Sequence, residues 1–198
     1  MNILEIIHSA NHKVAVIYQQ NPPVNAMSKA MRGNTLAALK EAQADDSIDA
    51  IIYTGRGKFF CAGADISEFI SGVCYESPNH YDLLDCLQES NKLIVAAING
   101  TALGGGCENA LACHYRLTQA ETTIGVPEVH LGIFPAGRGS QHLPRLIGAE
   151  KALDMMISGK PIKGLKAKEI GLVDRISEGD LLQDALNYVD ELIGANAE

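Results

Sequence analysis

INGTALGGGCENALACHYRLTQAETTIGVPEVHLGIFP, residues 98–135, decides how this chain is read. An apolar strand runs into Gly104-Gly105-Gly106, and a helix follows with Glu108 just inside it. A second carboxylate, Glu128, stands after Pro127 in a glycine-flanked loop. Glycines let a backbone approach a ligand closely, and a helix N-terminus aims unpaired N–H groups outward. Such donors beside two carboxylates are the parts needed to add or remove water, or to move a proton, next to a carbonyl. Taken singly, each feature has a plainer reading. The glycines make a tight turn, Glu108 is a first-turn acid favoured by the helix dipole, and Glu128 is a solvated loop acid.

Outward from this stretch, LIVAAI (93–98) and DAIIYT (49–54) are short apolar runs typical of buried strands. Residues 3–8 and 14–19 read as two further strands, and 115–120 as another. Prolines in NPPVNAMS (21–28) forbid regular pairing, and Ser28 opens a helix over 28–44. GRGKFFCAGAD (55–65) reads as a loop, followed by a short helix over 65–70, an irregular 71–80 and a helix over 80–90. Helices are expected over 105–113 and 164–171, two helical segments hinge near Gly148 within 138–158, and LVDRI (172–176) reads as a strand. A helix over 179–194 follows. Alternating strand–loop–helix units imply an α/β fold, and residues 1–198 read as a single domain.

The chain has 198 residues, 46% hydrophobic and 20% charged, which suits a globular protein without metal or disulfide staples. A net charge of −8 argues against a general nucleic-acid surface. Five cysteines without a CxxC pair point to a reducing compartment, and the expected location is cytoplasmic. MNILEIIHSA (1–10) lacks a basic segment ahead of a long apolar run, so no signal peptide is expected, and no stretch approaches a membrane span. Cys107, Cys113 and His114 lack the partner pair of a zinc site, and Ser140 with His142 lacks a nucleophile elbow. No glycine pattern for dinucleotides or nucleoside triphosphates is present.

FCAGADISEF (60–69), AAINGTALGGGCENALACHYRL (96–117) and GVPEVHLGIFPAGRGSQHLPRLIG (125–148) resemble the enoyl-CoA hydratase/isomerase, or crotonase, family. NPPVNAMS (21–28) and AKEIGLVDRI (167–176) fit in the same order. CHYRL (113–117) and GRGSQHLPRL (137–146) look most like the N-terminal hydratase/isomerase domain of multifunctional β-oxidation enzymes. The resemblance implies a crotonase-like spiral of ββα units, an acyl-CoA substrate, and no metal or cofactor beyond that coenzyme A. It also implies either a homo-oligomer, usually a trimer, or a C-terminal dehydrogenase domain on a longer parent chain. Relatives of one activity carry further C-terminal helices, so that extension is expected to be short or missing here.

Position by position, Ala64 and Gly105 match the residues whose backbone N–H groups hold the thioester oxygen. Glu108 matches the carboxylate that holds and deprotonates water, and Glu128 the one that delivers a proton to the α-carbon. Val24, Ala26 and Ala62 match the coenzyme A groove, and Gly63, Asp65, Ile66 and Gly104 complete the expected substrate contacts. Arg56 and Lys58 are either phosphate contacts or solvated loop charges. Ser67 departs from the lysine common at its position. Retention of both glutamates implies hydration of 2-trans-enoyl thioesters. The alternatives are isomerisation of 3-enoyl to 2-enoyl thioesters through Glu128, another acyl-CoA reaction on the same fold, or a non-catalytic acyl-CoA-binding module.

Overall fold

The structure, a computed structural model, describes residues 3–196. The chain opens with β1 (Leu4–His8) and β2 (Lys13–Gln19), then α1 (Lys29–Ala44), β3 (Ala50–Gly55) and β4 (Phe59–Cys61). Next come α2 (Ile66–Ser71), α3 (His80–Gln88), β5 (Leu93–Ile98), β6 (Thr101–Leu103) and α4 (Gly105–Ala112). They are followed by β7 (Tyr115–Gln119), β8 (Thr123–Gly125), a 3-10 turn at Pro127–Leu131, α5 (Gly139–Ile147) and α6 (Ala149–Ser158). The last elements are β9 (Ile162–Lys163), α7 (Gly164–Glu169), β10 (Arg175–Ser177) and α8 (Leu181–Asn196). Ser28 caps α1 as expected, its side chain accepting from the Met31 N–H.

Six strands form one sheet in the order β1-β2-β3-β5-β7-β10. Only the β1–β2 pair is antiparallel. Parallel strands are covered on both faces, which is why DAIIYT and LIVAAI lack polar alternation. The alternation is instead between two cores. Ala15, Ile17, Ile51, Tyr53, Ile94 and Ala96 face one core, which also takes buried residues of α1, α3 and α4. Val14, Val16, Ile52, Val95 and Ala97 face the other, against Ala185, Leu186 and Val189 of α8.

A second sheet, β4-β6-β8-β9, corrects the sequence reading of 55–65 as a loop. Its members are two or three residues long, too short to show a period. Pairing, rather than local propensity, makes them strands. LVDRI is corrected as well: only Arg175–Ser177 pairs, beside β7, while Leu172 and Val173 are buried ahead of it. The second sheet positions the site, because β4 ends at the 62–65 loop, β6 ends at Gly104, and β8 ends just before Glu128.

Candidate active site

Two backbone segments meet at the end of β4. The Ala62 N–H donates to the Val24 carbonyl at 3.1 Å, Met27 N–H to Gly63 at 2.8 Å, and Asp65 N–H to Met27 at 3.4 Å. This isolated parallel bridge of Met27 with Ala64 turns the Ala64 N–H away from the 24–27 segment. Gly105 opens α4, so its N–H has no acceptor within the helix. A Cβ built on Gly105 would lie 3.7 Å from the Ala64 nitrogen, and one on Gly63 would lie 4.0 Å from the Gly105 nitrogen. The structure therefore places the 24–27 segment, the 62–65 loop and the start of α4 at Gly104 and Gly105 side by side.

The glycines are required at two of these points. Gly104 has φ 52°, ψ −125°, a conformation that side chains rarely adopt. A Cβ on Gly106 would lie 2.2 Å from the Cys61 carbonyl oxygen, so β4 and α4 could not pack as they do.

Glu108 projects from α4 with 3% of its surface exposed, and its Oε1 accepts the Gly139 N–H at 2.8 Å. Burial pushes its carboxyl up to about 7, opposed by the Gly139 and Gly137 N–H groups and reinforced by repulsion from Glu128. Glu128 sits in the 3-10 turn after β8, not in an irregular loop, and is 8% exposed. Burial raises its carboxyl too. Its Oε2 is buried with no hydrogen-bond partner among the described residues. Its Oε1 lies 3.2 Å from where a Gly104 Cβ would stand, which places it beside the α4 N-terminus. Two protonatable carboxyls thus flank a pair of free backbone donors, an arrangement suited to moving protons beside a developing oxyanion.

The surroundings contain residues that the sequence reading missed. Gly137 and Gly139 act through N–H groups, which leave no side-chain signature. His80 Nε2 pairs with Asn109 Oδ1 at 2.9 Å, and Asn109 Nδ2 reaches Gln19 Oε1 at 3.2 Å. Arg32, 2% exposed, donates to the Met27 carbonyl, to the Pro78 carbonyl and to Glu68. It ties the 24–27 segment to α2 and to the start of α3. The arginine fork, in mid-helix, carries no motif that could have flagged it.

The remaining candidates lie at the edge. Asp65 caps α2, accepting from the Ser67 N–H and hydroxyl, and Ile66 is exposed. Arg56 pairs with Glu5 at 2.7 Å and lies over the Tyr18 ring, while Lys58 is exposed. Burial pushes the Cys61 and Cys113 thiols up to about 12 and raises Cys107, so all three are protonated. Among the described residues no three His, Cys, Asp or Glu side chains gather where they could hold a metal ion. A cavity of about 300 Å³ lined by Tyr18, Thr54, Asn99 and Leu181 opens elsewhere, and no predicted site residue lines it.

Residues 9–197 match the enoyl-CoA hydratase/isomerase family. The peroxisomal bifunctional enzyme of Danio rerio is 41% identical over 181 residues, which cover 91% of this chain and 25% of that protein. A probable enoyl-CoA hydratase of Bacillus subtilis is 42% identical over 165 residues, covering 81% of this chain and 64% of its own length. The chain thus spans about a quarter of the bifunctional relative. Among solved structures, the enoyl-CoA hydratase from Bacillus anthracis superposes with a TM-score of 0.88 at 30% identity, covering 97% of this chain and 77% of that one. Sequence, fold and the order of its motifs agree: the chain belongs to the enoyl-CoA hydratase/isomerase family.

Proposed function

We propose that this chain adds water to 2-trans-enoyl-CoA, giving 3-hydroxyacyl-CoA, with Glu108 and Glu128 as the catalytic pair. The observation that carries the reading is the pair itself. Two carboxyls of raised pKa stand beside the free N–H groups of Ala64 and Gly105. The thioester oxygen docks on those two donors. Water attacks the β-carbon as Glu108 takes one of its protons. A C–O bond forms, the double-bond electrons move onto the thioester as an enolate, and Glu128 gives its proton to the α-carbon. The pair keeps one proton throughout, moved from Glu128 to Glu108. Each oxyanion donor stabilises the transition state by about 3 kcal/mol.

Isomerisation is the second reading, favoured by the unpartnered Oε2 of Glu128. That oxygen can take and return a proton on the acyl chain without help from Glu108. Assays of hydration and of 3-enoyl to 2-enoyl conversion in Glu108→Gln separate the two. Hydration is expected to fall by about 10²-fold or more while isomerisation is retained. Parent protein that turns over neither substrate yet binds acyl-CoA would instead support a binding module.

Coenzyme A is held, in this reading, by the groove of Val24, Ala26, Ala62, Gly63, Asp65 and Ile66, and the reaction uses no metal. Two partner arrangements follow from kinship: a homotrimer, or a dehydrogenase domain on a longer chain. Free cysteines suit the cytoplasm, whereas several relatives are named peroxisomal or glyoxysomal. Among the described residues, no helix is long and apolar enough to cross a membrane.

A further inference from the structure

Tyr81, Asp85 and Gln88 recur along α3 at the four- and three-residue steps that share one helix face. All three reach the segment that leads into α5. The Tyr81 hydroxyl donates to the Ala136 carbonyl at 2.9 Å. The Arg138 guanidinium donates to the Asp85 carboxylate and, at 3.0 Å, to Gln88 Oε1. It also stands 5.9 Å from the centre of the Tyr81 ring. Arg138 has φ 70°, ψ 6°, in the left-handed region. Among the described residues only Asn25 and Arg138 combine a side chain with a positive φ. Asparagine enters that region comparatively readily, and arginine does not.

That conformation sets the plane of the Arg138–Gly139 peptide, which is held at both ends. Its carbonyl accepts the Gln141 and His142 N–H groups at 2.9 and 2.8 Å. Its N–H points the opposite way, as in any trans peptide, and donates to Glu108 Oε1 at 2.8 Å. We propose that Arg138 is a positioning residue: gripped by Asp85 and Gln88, it holds its left-handed turn and thereby keeps the Gly139 N–H on Glu108. Its use in turnover rests on the hydration reading, in which the Glu108 carboxylate must be aimed at the water it deprotonates. The Arg138 and Asp85 side chains are 29% and 45% exposed, and such an ion pair adds little stability by itself. The grip therefore acts on the geometry of Glu108 more than on the fold. The titratable or charged groups facing Glu108 are Glu128 and the Cys107 thiol. Those around Arg138 are Asp85, Tyr81, His80 and His142.

The test is a carboxyl-carbon NMR titration of Glu108 in Asp85→Ala, which leaves Glu108, Gly139 and Arg138 in place and needs no turnover. Charge and positioning act with opposite signs in this variant. Removing an anion lowers the Glu108 pKa by charge alone. Loosening the Gly139 N–H withdraws a donor that favours the ionised carboxylate, and so raises it. The pKa should rise by roughly 0.5–1, and the Gly139 amide proton should move upfield as its hydrogen bond weakens. Arg138→Lys keeps the charge without the two-pronged grip and should shift the pKa in the same direction. A lowered or unchanged pKa in Asp85→Ala would overturn the proposal, as would an unmoved Gly139 amide. A weaker denaturant melt with neither change would make the grip a structural contact only, and would overturn it too. In hydration assays the same variant should lose roughly 3–10-fold in kcat with KM near the parent. Failure of the parent to hydrate crotonyl-CoA would sink the functional reading alone, since the titration does not depend on it.

Discussion

Helices α4 and α2 flank the same backbone donors and are built in opposite ways. All eight residues of α4 are buried, Glu108 included. Neither α2 nor the 3-10 turn Val73–Tyr75 after it buries a single residue. Ile66, Phe69, Ile70 and Tyr75 are 57%, 43%, 90% and 76% exposed. The difference teaches where chemistry and selectivity can reside. Proton transfer needs groups held to a fraction of an ångström, and close packing around α4 provides that. An acyl chain needs an apolar wall that can vary in shape, and an exposed helix can change without disturbing the core.

Arg32 ties α2 to the 24–27 segment and to the start of α3, and its removal should have the largest effect. Arg32→Leu leaves Glu68 partly buried without its cation and frees two carbonyls, which should cost about 3–5 kcal/mol of stability in a denaturant melt. A cost below 1 kcal/mol would mean that α2 is not held by this ion pair.

Next in size is Gly105→Pro. Proline suits the first position of a helix, so α4 should persist, while one of the two proposed oxyanion donors disappears. The expected loss is about 3 kcal/mol in the barrier, roughly 10²-fold in kcat, with the circular dichroism spectrum unchanged. A folded variant of full activity would remove Gly105 from the donor pair.

A third expectation concerns stability against pH. The Glu108 carboxyl is raised from 4.5 to about 7 by folding, so the folded state favours its acid form. That contribution is complete below about 4.5 and is lost as pH rises through about 7. Glu108→Gln stays neutral, so at pH 8 it should be more stable than the parent by about 2–3 kcal/mol, with the gap closing at pH 5. Thermal melts at the two values measure this, and a gap that does not vary with pH would contradict the burial argument.

The smallest effect is expected on the open side. Ile70→Ser should leave stability within about 0.5 kcal/mol and shift the ratio of kcat/KM between long and short enoyl-CoA substrates. A large loss of stability would show that the packing of α2 depends on Ile70.

The same contrast explains what could be read in the sequence. The strands over 93–98 and 14–19 were legible because both faces are buried and the runs are long enough to show it. The α1 cap at Ser28 and the hinge at Gly148 carry their own local chemistry. The strands β4, β6, β8 and β9 were not legible, because two or three residues hold no period and gain their conformation from neighbours far along the chain. At the site, Glu108, Glu128 and the glycines stood out through family wording and through residue types that suit a proton shuttle. The Gly137 and Gly139 donors, the Arg32 anchor and the His80–Asn109 pair did not, since each depends on a contact between distant segments.

The most direct test of two buried glutamates as a hydrating pair is the rate of crotonyl-CoA hydration in Glu128→Gln, measured with acyl-CoA affinity on the same sample. The substitution removes a proton donor and almost no volume. Turnover should fall by about 10²–10⁴-fold while affinity stays within a few-fold of the parent. Near-parental turnover would contradict the assignment of Glu128, and with it the pair on which this account depends.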